Sequence, residues 1–280
     1  MTPNIVHTIA DLRKHVTAWR ASGLRIGLVP TMGALHDGHL SLVRQTQTHA
    51  NKTVVSIFVN PTQFAPHEDF DRYPRTLDTD AQKLAGVGLD LIFAPSVAEM
   101  YPAGFATKIE VSGPSMGLET DFRPHFFGGV ATVVAKLLTA VWPDMAIFGE
   151  KDYQQLLVIR RLATDLNLPV EITGAPIVRE PDGLAMSSRN AYLNPQERAV
   201  AGKLNLILND AASRAKTGNP IATAEGQAAD ALLKAGFDSV DYVAIRDAST
   251  LQPLDKLNRP ARILAAAKIG ATRLIDNLPV

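Results

Sequence analysis

At 280 residues the chain is too long for one average domain and suits two. Hydrophobic residues make up 46% and charged residues 20%, which excludes a disordered chain, and Gly and Pro (19 and 18) are too few for a collagen-like one. The 28 basic and 28 acidic residues cancel, so no overall field draws the chain to nucleic acid or an anionic membrane. With no cysteine, disulfides, thiolate nucleophiles and Cys-based metal sites are excluded as well.

Strand-like and helix-like segments alternate over the first 175 or so residues. Arg25–Pro30 reads as a buried strand, Asp37–Ala50 as a helix, and Thr53–Asn60, rich in β-branched residues, as a second strand. Thr76–Val87 has helical spacing, Leu89–Ala94 is a third strand, and Val130–Val141 is a helix. Met145–Gly149 is a strand, Tyr153–Leu166 a helix and Val170–Thr173 a last short strand. Continuously apolar strands between amphipathic helices predict an α/β fold: a parallel sheet with helices on both faces. The texture changes near Ile177. Helices at Pro195–Lys216 and Ile221–Ala235 precede strands at Val240–Arg246, Arg262–Ile269 and Arg273–Asn277, which predicts a smaller C-terminal α+β domain. The expected division is therefore 1–177 and 178–280. Met1–Asp11 lacks a signal-peptide pattern, and no apolar run approaches the ~18 residues of a membrane span, so the chain reads as a cytoplasmic protein without a membrane partner.

Four segments carry chemistry. The first strand runs into Pro30–His39 (PTMGALHDGH), a two-glycine turn opening a helix. Ligands of open parallel sheets bind beyond such strand ends, and free N–H groups at a helix start favour an anion. His36 and His39, three apart, share one side of the first turn, where two imidazoles could stabilise charge developing on a phosphate. The ordinary alternative is surface chemistry, and a zinc site lacks the adjacent Glu and the four-residue spacing of the metalloprotease helix. In Phe148–Gln155 (FGEKDYQQ), Lys151 offers a point charge at a helix start and Gln155 lies one turn on; a solvated lysine between capping acids is the plain alternative. Leu184–Asn190 holds Ser187, Ser188 and Arg189 as donors for phosphate oxygens. Gln63, just past the second strand, could bind a small polar substrate. Neither a Gly-x-Gly-x-x-Gly fingerprint nor a P-loop is present, which leaves a nucleotidyl-transfer site of the His-x-Gly-His kind.

These segments, with Ser56–Phe64 (SIFVNPTQF), Tyr73–Thr76 (YPRT), Gly183–Asn190 (GLAMSSRN) and Arg273–Asn277 (RLIDN), resemble the pantoate–β-alanine ligase family in order and spacing over nearly the whole chain. The resemblance implies a Rossmann-like N-terminal domain, a C-terminal lid and a homodimer. It also implies a two-step reaction in which pantoate and ATP give pantoyl adenylate and pyrophosphate, after which β-alanine displaces AMP. Carried over, the ATP site falls on Met32, Gly33, Ala34, Leu35, His36, Asp37, Gly38, His39, Gly149, Glu150, Lys151, Asp152, Val178, Met186, Ser187, Ser188 and Arg189. His39 takes the proton-donor position, and His36, Lys151, Ser187, Ser188 and Arg189 attend the phosphates. Gln63 matches a residue of the pantoate and β-alanine sites, Gln155 one of the pantoate site. Mg²⁺ accompanies ATP, mostly through phosphate oxygens; Asp78 and Asp80 are acidic candidates that a helix N-terminus explains equally well. One departure stands out: after Arg123-Pro124 the family's usual His position holds Phe126, with His125 one place earlier. Two other classes stay open. A nucleotidyltransferase acting on a phosphate-bearing acceptor would need basic residues near Gln63, where only Arg72 and Arg75 lie. A non-catalytic nucleotide binder should have lost His39, Lys151 or Arg189, and all three are present.

Overall fold

The computed structural model describes residues 3–66 and 68–280. Met1 and Thr2, the start of the segment inspected for a signal peptide, lie outside that range.

Six parallel strands form the larger sheet: β1 (Asn4–Val6), β2 (Ile26–Thr31), β3 (Lys52–Ile57), β4 (Leu91–Phe93), β5 (Met145–Gly149) and β6 (Glu171–Ala175), in the order β1-β4-β3-β2-β5-β6. The central strands are buried on both faces, which is why they read as continuous apolar runs. Helices α1 (Ile9–Ala21), α6 (Phe126–Val141) and α7 (Tyr153–Asp165) contribute to the apolar cluster on one face. Helices α2 (Asp37–Gln47) and α3 (Leu77–Gly86) do so on the other. Two one-turn helices, α4 (Val97–Met100) and α5 (Glu119–Phe122), lie in the long connection from β4 to α6.

From β2 the chain winds outward through β3 to β4; it then crosses back to place β5 and β6 on the other side. The strand order therefore reverses between β2 and β5. These two strands pair only at Gly27–Met145 and Leu28–Ala146, so their carboxyl ends open into a crevice.

The C-terminal part is a three-stranded antiparallel sheet, β7 (Ser239–Asp247), β8 (Ala261–Ile269) and β9 (Thr272–Pro279). It packs with α9 (Lys203–Lys216) and α10 (Ile221–Ala235) around a cluster drawn from Leu184 to Leu274. Ala244, Leu251 and Leu264 instead join the N-terminal cluster, so the two parts share apolar contact.

The sequence reading differs from the structure in three places. β1 and α1 are not anticipated by it, although Thr8 caps α1 by accepting from the Asp11 N–H at 3.1 Å. Helix α6 begins four residues before Val130, at Phe126. The helix expected over Pro195–Lys216 is two, α8 (Pro195–Ala201) and α9, broken at Gly202. There the missing side chain makes room for the Asp182 carboxylate, which pairs with Arg198.

Candidate active site

The loop from β2 to α2 is locked before it reaches the crevice. Gly33 and Ala34 both have positive φ, 85° and 51°. The buried carboxylate of Asp80, on α3, accepts from the Ala34 N–H at 2.9 Å, the Leu35 N–H at 2.8 Å and the Thr76 hydroxyl at 3.1 Å. Lys83 Nζ donates to the Leu35 carbonyl at 2.6 Å. A side chain on Gly33 would place its Cβ 3.2 Å from the Asp80 carboxylate. Two consequences follow for the readings above. The amides of Ala34 and Leu35 are committed within the protein, which leaves those of Asp37 and Gly38, in the first turn of α2, for an anion. Asp80 is a loop anchor rather than a metal candidate, and Asp78 is exposed on α3 away from the cleft.

His36 is the N-cap residue of α2 and His39 the third residue of its first turn, with ring centroids 4.1 Å apart. The His36 backbone N–H donates to His39 Nδ1 at 3.4 Å. That contact puts the proton of a neutral ring on Nε2. Burial, then the neighbouring His36, Lys151 and Lys83, push His39 down to about 3. Burial, then Lys151 and Lys83, push His36 down to about 4. Both rings are therefore neutral near pH ~7. His39 lines the cleft; His36 lies behind it, and its Nδ1 is buried without a partner.

Across the crevice, β5 passes into α7 through a single turn, Glu150–Asp152. Lys151 Nζ lies 3.8 Å from the Asp152 carboxylate, and both residues line the cleft. Glu150 points away, its carboxylate 2.9 Å from Arg262 on β8. Gly149 has no atom within 4 Å of where a Cβ would stand. Gln154 and Gln155 both line the cleft; the side chain of Gln154 is committed within the chain, accepting from the Glu119 N–H and donating to the carbonyls of Pro114 and Gly117.

The third arm enters from the C-terminal side. A short bridge joins Arg179 and Ala185, and Met186 N–H donates to the Val178 carbonyl at 3.0 Å. Neither Val178 nor Met186 lines the cleft; Ser187 and Arg189 do. Arg189 is engaged with Asp69 in a two-pronged ion pair, 2.9 and 3.1 Å. Beside it, the Ser188 hydroxyl is 3.0 Å from the Tyr73 hydroxyl. The segment after β3 is thus tied to the segment before α8.

Gln63 sits in a one-turn helix after β3. Its Oε1 accepts from Asn60 Nδ2 at 2.9 Å, an arrangement that turns its amide donors outward. Asn60 Nδ2 also donates to the Gly129 carbonyl at 3.2 Å, and Asn60 Oδ1 accepts from Tyr101 at 2.7 Å. Gly129 matters for its lack of a side chain, since a Cβ there would lie 2.7 Å from the Thr62 carbonyl carbon and 3.0 Å from the Gln63 nitrogen. Phe126 lines the cleft under the guanidinium of Arg123, 4.0 Å from its ring centroid. His125, one place earlier, is not part of the lining. Near Gln63, Arg72 lines the cleft, while Arg75 donates to the carbonyls of Phe70, Asp71 and Tyr73.

Met32, His39, Gln63, Tyr73, Lys151, Asp152, Gln155, Ser187 and Arg189 thus converge on one cleft of about 850 Å³. Gly33, Ala34, Leu35, His36, Asp37, Gly38, Gly149, Glu150, Val178, Met186 and Ser188 frame it from behind. Sequence reasoning missed Arg262, and it named Asp80 and Asn277 without their structural roles, because the partners of all three lie tens of residues away along the chain.

A doubly wound sheet with a His-x-Gly-His turn and a lysine turn on either side of its switch point defines a nucleotide-using enzyme of the α/β class. A family model described as pantoate-β-alanine ligase matches residues 4–279. A pantothenate synthetase from Mesorhizobium japonicum is 59% identical over 99% of this chain and 98% of its own. One from Caulobacter vibrioides is 57% identical over 100% and 99%. The crystal structure of pantothenate synthetase from Thermus thermophilus superposes with a TM-score of 0.91 at 47% identity, covering 98% of both chains. That of the ligase from Francisella tularensis, complexed with β,γ-ATP and β-alanine, gives 0.84 at 35% identity, covering 99% of this chain and 97% of its own. The chain belongs to the pantoate–β-alanine ligase family and is a ligase.

Proposed function

We propose that the chain carries out the reaction its family is named for, joining pantoate to β-alanine at the expense of ATP, through a pantoyl adenylate formed in this cleft. The carrying observation is the convergence of His39, Lys151, Gln63 and Gln155 on the crevice between β2 and β5. In the first step the pantoate carboxylate oxygen bonds to the α-phosphorus, and the α–β phosphoanhydride bond breaks with release of pyrophosphate. In the second, the β-alanine amine bonds to the acyl carbon, loses a proton, and AMP departs. Both nucleophiles come with the substrates, which suits a chain without cysteine and a site whose task is positioning and charge stabilisation.

In this reading the Lys151 ammonium faces the triphosphate, and Arg189 with Ser187 and Ser188 closes on it from the other side. His39 presents a neutral Nε2–H to a phosphate oxygen, fixed in that tautomer by the His36 amide; it is a hydrogen-bond donor rather than a cation. His36 supports the turn, and the free amides of Asp37 and Gly38 meet the anion. Gln63 and Gln155 hold pantoate, with Gln63 also near the amine. Magnesium belongs to the same reading. Among the described residues no group of three or more His, Cys, Asp or Glu side chains could hold a metal, and Glu68, Asp69, Asp80 and Glu119 are engaged by partners within the chain. That donor set suits an ion carried on phosphate oxygens, with Asp152 the nearest carboxylate to Lys151. When bound, the ion would neutralise phosphate charge. A homodimer, a cytoplasmic setting and a lid at 178–280 complete the proposal. The two sheets support the division at residue 177; the absence of any described helix long and apolar enough to cross a membrane is compatible with the setting.

The test is pyrophosphate release from Mg-ATP and pantoate, first without and then with β-alanine. Release limited to the amount of enzyme, becoming multiple turnover with AMP once β-alanine is added, is the expected result. No pyrophosphate in either case, from protein that binds ATP, would overturn the reading.

A further inference from the structure

The lysine turn lacks a cap of its own. No side chain of Gly149, Asp152 or their neighbours caps either the Glu150–Asp152 turn or the start of α7. Gly149, just before it, has open space beside it. With no side-chain cap, the turn depends for restraint on partners that other parts of the chain bring to its N–H groups or its carbonyls. Without them a lysine there would sample many positions relative to His39.

The missing restraint comes from the far end of the chain. Asn277, on β9, is almost wholly buried at 2% exposure. Its Nδ2 donates to the Glu150 carbonyl at 2.9 Å and to the Lys151 carbonyl at 2.8 Å. Its Oδ1 accepts from Arg262 Nε at 2.5 Å. The two carbonyls fix the orientation of the amide, since a flipped Asn277 would set oxygen against oxygen. Arg262 in turn holds the Glu150 carboxylate at 2.9 Å and lies 3.8 Å over the Tyr153 ring, the first residue of α7. Asn277 lines the cleft, but both of its N–H donors are committed to the turn, so it has none left to offer a ligand. The neighbouring Asp276 receives Arg179 in a two-pronged ion pair at 2.7 and 2.9 Å, and Arg179 donates to the Gly183 carbonyl at 3.0 Å, on the hairpin that leads to Ser187 and Arg189. Consecutive residues of one strand thus grip the two arms that reach for phosphate.

We propose that Asn277 is a positioning residue for the reaction: by clamping the carbonyls of Glu150 and Lys151 it aims the Lys151 ammonium at the triphosphate. The inference rests on the phosphate role given to Lys151 above. Gln63 has no hydrogen bond to any residue of the clamp, so the β-alanine side of the cleft should not feel its loss, whereas Gln155, in the first turn of α7 directly after the clamped turn, ties the pantoate side to it.

Asn277→Asp keeps the shape and removes both N–H donors. Initial rates are measured with each substrate varied in turn, alongside Lys151→Ala and a stability control, Leu208→Ala, which opens a cavity in the C-terminal core. The expected result is a KM for ATP raised at least ~10-fold and adenylate formation slowed at least ~10-fold, with KM for β-alanine held within about twofold. Leu208→Ala should lower the melting temperature and leave KM for ATP near wild type. Wild-type ATP kinetics in Asn277→Asp, with Lys151→Ala impaired, would overturn the clamp while sparing the phosphate reading. The same ATP defect in Leu208→Ala would reduce Asn277 to a stability residue and also overturn it. Unimpaired Lys151→Ala would overturn the phosphate reading itself, and the clamp with it. Where the aspartate variant does not fold, Asn277→Ala is read in the same way.

Discussion

The two cationic arms that face each other across the cleft are held in different ways. On the β5 side, Lys151 is free to meet a ligand: its ammonium has only a loose 3.8 Å contact with Asp152, while its backbone is gripped from behind. On the other side, Arg189 spends Nε and Nη2 on Asp69, so an anion meets a guanidinium already paired on one edge. The first arm is held by its backbone with its head group nearly unpaired; the second is held by its head group. The difference teaches that charge near a site is not the same as charge available to it. A catalytic donor is worth most where its own partners hold the backbone and leave the head group unspent.

The comparison is broken most severely by removing the preorganised groups. His39→Ala and Lys151→Ala should each slow adenylate formation at least ~100-fold, the scale of losing one oriented charge-stabilising donor. Single-turnover pyrophosphate release measures this, and near wild-type rates in both variants would refute the site assignment.

A second test uses pH on the rigid side. Burial pushes His36 to about 4 and His39 to about 3, whereas in the unfolded chain both titrate near ~6.5. Below ~6.5 the unfolded state binds more protons, so this share of the stability is complete above that value and declines as pH falls toward 3. Urea melts at about pH 7 and about pH 4.5 should show a smaller loss in a His36→Asn, His39→Asn double variant than in the wild type. An equal loss in both would show that these rings are solvated.

The paired arm gives a smaller effect. Asp69→Asn keeps the shape and removes the charge that competes for Arg189, so KM for ATP should fall about threefold in initial-rate assays. An unchanged or raised KM would show that the pair does not oppose ATP binding. Smallest of all is the change at Phe126. Because Phe126 serves as a platform for Arg123, Phe126→His should raise the rate less than ~10-fold; a larger gain in steady-state turnover would reveal a missing catalytic group.

What the sequence made legible follows the range of the interactions. The central strands announce themselves because burial on both faces leaves unbroken apolar runs, as in Met145–Gly149. The His36–His39 and Lys151 segments are legible because a strand end, glycine and a helix start adjoin within ten residues. β1 escapes because three residues at a sheet edge carry no period, and the break at Gly202 escapes because its cause, Asp182, lies twenty residues earlier. For the same reason Asp80 reads as a helix-start acid and Asn277 as one residue of a conventional strand; only folding brings each to the loop it holds. The local sequence offers Arg189 as a candidate phosphate donor but does not reveal its pairing with Asp69.

Gly129 carries one further consequence. Its bare Cα lets α6 rest directly on the peptide between Thr62 and Gln63, so the gap between helix and substrate side chain is gauged by the thickness of two backbones. A single added methyl would act as a shim. It would lift the turn bearing Gln63 off the helix and stretch the Asn60–Gly129 bond behind it, shifting the Gln63 amide through an atom that never touches it.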